Sequence, residues 1–161
     1  MAAATILHVG EDACYRIPLL ERAGVLAVRT ECSVRAIENV FAAATTFSGI
    51  AFHNELSPTV CTVAVTARKL STAPLILFQN TLTDCDEELF DLVVPVQTPP
   101  EIWLESLRET IRAARELKDA SQQLRQETAE VRAASRRLRG KAVQNCVAPV
   151  DYDTLWRNKR G

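Results

Sequence analysis

Residues 49–58 read GIAFHNELSP. An apolar run ends in His53, Asn54 and Glu55, and Pro58 stands four residues beyond Asn54. A short apolar run without alternation, closed by polar residues and a proline, reads as a parallel strand buried on both faces. Such a strand delivers its polar groups at its C-terminal end. In open α/β sheets the functional crevice lies outside those ends.

Working outward from this strand, the flanking sequence repeats the same alternation. Towards the N-terminus, residues 5–9 (TILHV) predict a strand followed by Gly10, Glu11 and Asp12. Residues 15–23 predict a helix with Pro18 in its first turn, and Gly24 is a left-handed stop signal. A strand over 25–29 follows, then Ser33 as the N-cap of a helix over 34–44. The central strand extends over 47–53. Towards the C-terminus come a helix over 59–70, a strand over 75–78 leading into Gln79, a short helix within 82–90 and a strand over 92–96. Pro99 and Pro100 open the last helix. Five strands alternating with helices imply right-handed crossovers and a parallel sheet, with flavodoxin-like order 2-1-3-4-5 as the usual solution.

The last helix has no proline or glycine from Glu101 to Arg139, and Gly140 is the first stop signal. Those 39 residues would span roughly 58 Å, more than the α/β domain needs. Ile102, Trp103, Leu107 and Ile111 can cover the sheet. Beyond them Leu117, Leu124, Val131 and Leu138 recur every seven residues, with Ser121, Thr128 and Ser135 four residues after the first three. One good and one poor heptad position predict a two-helix coiled coil between protomers, against a lone amphipathic extension. The expected organisation is an α/β domain over 1–118, a helical extension over 119–140 and a flexible basic tail over 141–161.

Composition narrows the class. No apolar run approaches the ~18 residues of a membrane span. The N-terminus has no basic segment before its first strand, so no signal peptide is expected. Five scattered cysteines without a CxxC suit reduced thiols in the cytoplasm. From Arg132 onward eight basic residues oppose Asp151 and Asp153, a net +6 in a chain whose total is −1. The body is therefore acidic and the tail basic. No glycine-rich phosphate loop, GxSxG or HExxH occurs, so a hydrolase or oxidoreductase has no supporting motif. His8 lies inside the first strand and is expected in the core, bonded to backbone. His53 is expected at the mouth of the crevice, solvated or hydrogen-bonded.

From Ile6 to about Lys118 the chain resembles the receiver domains of two-component response regulators. ILHVGEDACYR looks like their first strand and acidic loop, LLERAGVLAV their first helix, glycine and second strand, and GIAFHNELSP their third strand and proline. PLILFQ and VQTPPEIWLESL match the fourth strand and the start of the fifth helix. The resemblance implies an in-line attack on phosphorus by a carboxylate. It also implies Mg²⁺ held by an acid pair, and a lysine and a hydroxyl that bind the product. Carried over, Glu11 and Asp12 are the acid pair and Asn54 stands at the phosphoacceptor. Gln79 stands at the hydroxyl position, and Val96 (or Pro95) at the lysine. An amide cannot form an acyl phosphate, and neither Val96 nor Pro95 carries charge. The sixteen residues between Gln79 and Val96 leave room for only a short or irregular fourth helix. In receivers that region often forms the dimer and output face, so its weight here shifts to the C-terminal helix.

These readings together predict a non-phosphorylatable receiver-like adaptor, not an enzyme, that acts by binding a signalling protein and forms a homodimer. No cofactor is expected beyond Mg²⁺ held weakly by Glu11 and Asp12. One alternative is an atypical phosphate- or Mg²⁺-responsive regulator using Glu11, Asp12 or Glu55. Another is a nucleic-acid- or membrane-binding regulator acting through the basic tail, but six net charges with few aromatics give it little support.

Overall fold

The computed structural model describes residues 4–12, 14–43, 45–53, 59–79 and 87–146, the last six by their backbone alone. Two units are distinguished, Met1–Leu117 and Lys118–Gly161. The first holds a parallel sheet of β1 (Thr5–Val9), β2 (Leu26–Thr30), β3 (Gly49–His53), β4 (Leu75–Gln79) and β5 (Leu92–Pro95), in the order β2-β1-β3-β4-β5. Helices α1 (Arg16–Arg22), α2 (Val34–Ala42) and α3 (Thr59–Leu70) connect them, and α4 (Pro100–Cys146) follows β5. This is the flavodoxin-like fold and strand order that the alternation predicts.

The two-residue period of a strand sorts the core onto two faces. Leu7, Val9, Ile50, Phe52, Leu75 and Leu77 pack with Ile37 of α2 and Val60, Val63, Ala64 and Ala67 of α3. The opposite parity places Ile6, Ala51, Ile76 and Phe78 with Leu20 of α1 and Trp103, Leu107 and Ile111 of α4. His8 shares parity with Ile6, and His53 with Ala51, so both histidines fall on the α1/α4 face. A side chain at Gly49 would bring a Cβ to 3.1 Å from Ile76 Cδ1, so a bare backbone there leaves room for the Ile76 side chain of the neighbouring strand.

Helix ends follow the sequence closely. Ser33 Oγ accepts the Ala36 N–H at 3.2 Å and caps α2. After α1, Gly24 at φ 80° donates to Glu21 O, and Val25 donates to Leu20 O. That pair of bonds is a Schellman stop, with buried Val25 completing it. Asp91 has no sequence signature, yet its Oδ2 accepts from Leu75 N at 2.7 Å and from Arg68 at 2.8 Å, tying the starts of β4 and β5 to α3.

One expectation needs correction. Helix α4 runs through Gly140 to Cys146. An interior glycine costs a helix only about 0.5–1 kcal/mol relative to alanine, and no proline follows until Pro149. Between β4 and β5 the described residues hold a 3₁₀ turn, Glu87–Leu89, inside the segment expected to carry only a short helix; residues 82–86 lie outside the described residues. No helix among the described residues is long and apolar enough to cross a membrane.

Within the second unit, α4 is polar and exposed. Gln123 donates to Glu127 at 2.9 Å and Gln126 to Glu130 at 3.2 Å, pairs one helical turn apart. The hydroxyl of Thr128 donates to Leu124 O at 2.7 Å. Leu124, Val131 and Leu138 are 63%, 65% and 69% exposed. Leu117, which ends the first unit, is 70% exposed.

Candidate functional site

Parallel strands point their C-terminal ends one way, and the expected site residues collect there. Glu11 and Asp12 follow β1, Gln79 ends β4, and Val96 comes directly after β5. Asn54 and Glu55 follow His53 at the end of β3 and lie outside the described residues. The acid pair divides. Glu11 is exposed, whereas the Asp12 side chain is only 8% exposed.

The cause is local. Tyr15, ahead of α1, sits in the left-handed region at φ 53° and makes no side-chain cap. The free N–H groups of the first turn need another acceptor. Asp12 supplies it: Oδ1 accepts from Arg16 N at 2.7 Å and Oδ2 from Ile17 N at 2.8 Å. The carboxylate is thereby turned inward, and its Oδ1 lies 3.5 Å from His53 Nε2.

Both histidines are buried. His53 is 6% exposed, which leaves the hydrogen-bonded of its two expected settings. His8 is fully buried, as expected, but neither ring nitrogen has a hydrogen-bond partner of full geometry. The rings meet at 4.8 Å between centroids, because His8 pairs with Ala51 in register and His53 follows two residues later on the same face. The row continues through Phe78 at 5.5 Å from His53, and Trp103 edge-on to Phe78 at 5.4 Å.

Arg16, which the sequence reading passed over, completes the row. It is buried, and its guanidinium lies 4.1 Å over the Phe78 ring and 5.6 Å from Trp103. Burial lowers its pKa from the ordinary arginine value, and nearby Cys14 and Asp12 oppose that. The basic group of this cluster thus comes from α1, not from the position after β5.

Burial likewise holds His8 below its ordinary 6.5, opposed in part by Asp12 and the neighbouring Gly10 backbone, while Arg29 and Arg16 add to the lowering. When the folded pKa of a histidine lies below its unfolded value, acid protonates the unfolded chain first. The contribution of neutral His8 is therefore complete above 6.5 and is lost as the pH falls towards the lowered folded value. In chelator-containing buffer the urea midpoint should fall between about pH 7 and 5, more steeply than in His8→Gln. Equal acid slopes would assign the loss to groups other than His8.

The donors gathered here suit Mg²⁺ poorly. That ion takes an octahedron of oxygens, whereas the groups gathered around Asp12 are two imidazoles.

No family model matches the sequence, and no curated protein matches it. Solved structures do. A response regulator receiver protein from Sinorhizobium medicae superposes with TM-score 0.56 at 15% identity, covering 70% of this chain and 97% of that one. A chain described as adenylate cyclase from Rhodopirellula baltica gives TM-score 0.62 at 13% identity, over 77% and 98% of the two chains. A fusion carrying a yeast Spc42 trimeric coiled-coil segment gives 0.60 at 14% identity, over 86% and 98%. The chain has the fold of the response-regulator receiver domain. At these identities the likeness establishes the fold.

Proposed function

We propose that this chain is a signalling adaptor of receiver fold, cytoplasmic, that accepts no phosphoryl group and works by binding protein partners, with its C-terminal helix pairing two copies. The observation that carries this reading is the joint substitution at the strand ends. Asn54 replaces the attacking carboxylate, Gln79 the hydroxyl and Val96 the lysine. Each loss alone could be compensated. Together they remove the nucleophile and both groups that hold the product. The inward-turned Asp12 supports the same reading, since it splits the acid pair, burying one member and leaving Glu11 exposed. Receiver domains act in two-component signalling, so the natural partners are other proteins of such a system.

Incubation with acetyl phosphate and Mg²⁺, followed by intact-mass measurement, tests the proposal. No hydroxylamine-labile phosphoryl adduct is expected. A stoichiometric adduct would sink the adaptor reading and favour an atypical regulator using Glu11, Asp12 or Glu55.

A further inference from the structure

His8, Asp12 and His53 each offer one ligand atom, and the three atoms lie within 4.8 Å of one another. The residues come from β1, from the loop after it and from the end of β3. Chain topology therefore converges them towards the C-terminal ends of the adjacent strands β1 and β3. His8 is fully buried and neither of its nitrogens has a hydrogen-bond partner of full geometry. Apart from an interaction with the Gly10 backbone, this buried imidazole is poorly paired, which calls for an explanation such as an ion or a water. The rings of His8 and His53 are tilted at 42°, so they are not stacked face to face.

From this convergence we infer that His8, His53 and Asp12 form a binding site for a divalent transition-metal ion of the Zn²⁺ type, with solvent completing the coordination. Two imidazoles and one carboxylate form a borderline donor set that suits Zn²⁺, Co²⁺ or Ni²⁺ rather than Mg²⁺ or Ca²⁺. The ligand that most needs orienting is already fixed. Asp12 is held through both oxygens by the Arg16 and Ile17 N–H groups, the outer-shell bonding that metal-bound carboxylates carry. Metal–donor bonds of about 2.0–2.2 Å require the donors to draw closer than 4.8 Å, which small ring rotations supply. The Arg16 cation over Phe78 disfavours an ion held by charge alone. An ion that forms strong bonds to imidazole is less dependent on that attraction. The inference is independent of whether Asn54 blocks phosphorylation.

The test uses the full chain, stripped with chelator and titrated with Zn²⁺ or, for its visible absorption, Co²⁺. One equivalent should bind and raise the melting temperature, and Mg²⁺ at the same concentration should not. Binding should weaken more than about tenfold in His8→Gln and in His53→Gln. It should persist in Glu11→Gln, which spoils the acid pair, and in Cys14→Ser, which removes the exposed thiol nearby. If the histidine variants fail to fold, X-ray absorption on the zinc-loaded wild type decides the matter. Two imidazole ligands and no sulfur are expected. Absence of binding, binding unchanged without either histidine, loss in Cys14→Ser, or sulfur ligands would each overturn the assignment.

Discussion

Trp103→Ala should be the most damaging single substitution on the α1/α4 face, lowering stability by about 3–5 kcal/mol. Trp103 is 2% exposed and meets Phe78 edge-on at 5.4 Å. Its removal opens a large cavity between α4 and β4 and also strips one wall from the buried Arg16 guanidinium, whose centre lies 5.6 Å from the indole. Nη1 of that guanidinium already lacks a hydrogen-bond partner, so its aromatic surroundings compensate for much of its lost hydration. Leu107→Ala, one turn along the same helix, creates a cavity without touching the cation and should cost less, about 2–4 kcal/mol. A double-mutant cycle separates the two contributions. Arg16→Met removes the charge and keeps much of the volume. In that background Trp103→Ala should cost at least about 0.5 kcal/mol less than in the wild type. Urea denaturation of the four proteins measures this directly. Strict additivity would mean that the indole acts only as a filler of space and that Arg16 is held by other groups.

How far the sequence foretold this depends on the distance over which the signal acts. The strands and helices were legible because each carries its own punctuation. Gly24 and Ser33 mark ends by local chemistry, and both perform the expected role. The sheet order followed from alternation and crossover handedness. Gly140 misled because its helix-breaking tendency is weak and nothing after it reinforces the stop. The cluster of His8, Asp12, Arg16 and His53 was illegible for a different reason. Strand parity already placed each histidine on a defined face. That the two faces are one and the same, and that the row continues to Phe78, depends on the register of β1, β3 and β4. The inward turn of Asp12 depends on the left-handed backbone at Tyr15, a conformation that tyrosine gives no reason to expect. Two histidines at like positions on strands predicted as neighbours were the one available signal.

Cutting the chain after Lys118 should abolish self-association while leaving the sheet domain folded. The apolar residues of α4 that enter the core, Trp103, Leu107 and Ile111, all precede the cut, so the truncated protein should retain a cooperative unfolding transition. The lost segment carries Leu124, Val131 and Leu138 at 63–69% exposure and at heptad spacing. Covering such side chains contributes about 1.5–3 kcal/mol each, ample for a micromolar association even after the entropic cost of pairing. The alternate heptad position is polar, which would weaken a seam if its hydroxyls were buried bare. Thr128 avoids that penalty by donating to Leu124 O at 2.7 Å within its own helix. Sedimentation should therefore find full-length dimers and truncated monomers. The full-length Leu124→Lys, Val131→Lys double variant should weaken the dimer by at least about 100-fold, since two like charges would enter the seam from each helix. The orientation of the helices is also readable. Arg132, Arg136, Arg137 and Arg139 crowd the same end of the seam. A parallel pair would set them against their own copies, and salt would then tighten it. An antiparallel pair would bring them towards the Asp119 end, and salt would loosen it. A dimer of unchanged affinity in both the truncated and the lysine-substituted chains would move the interface to the globular domain and remove the helix from the proposed function.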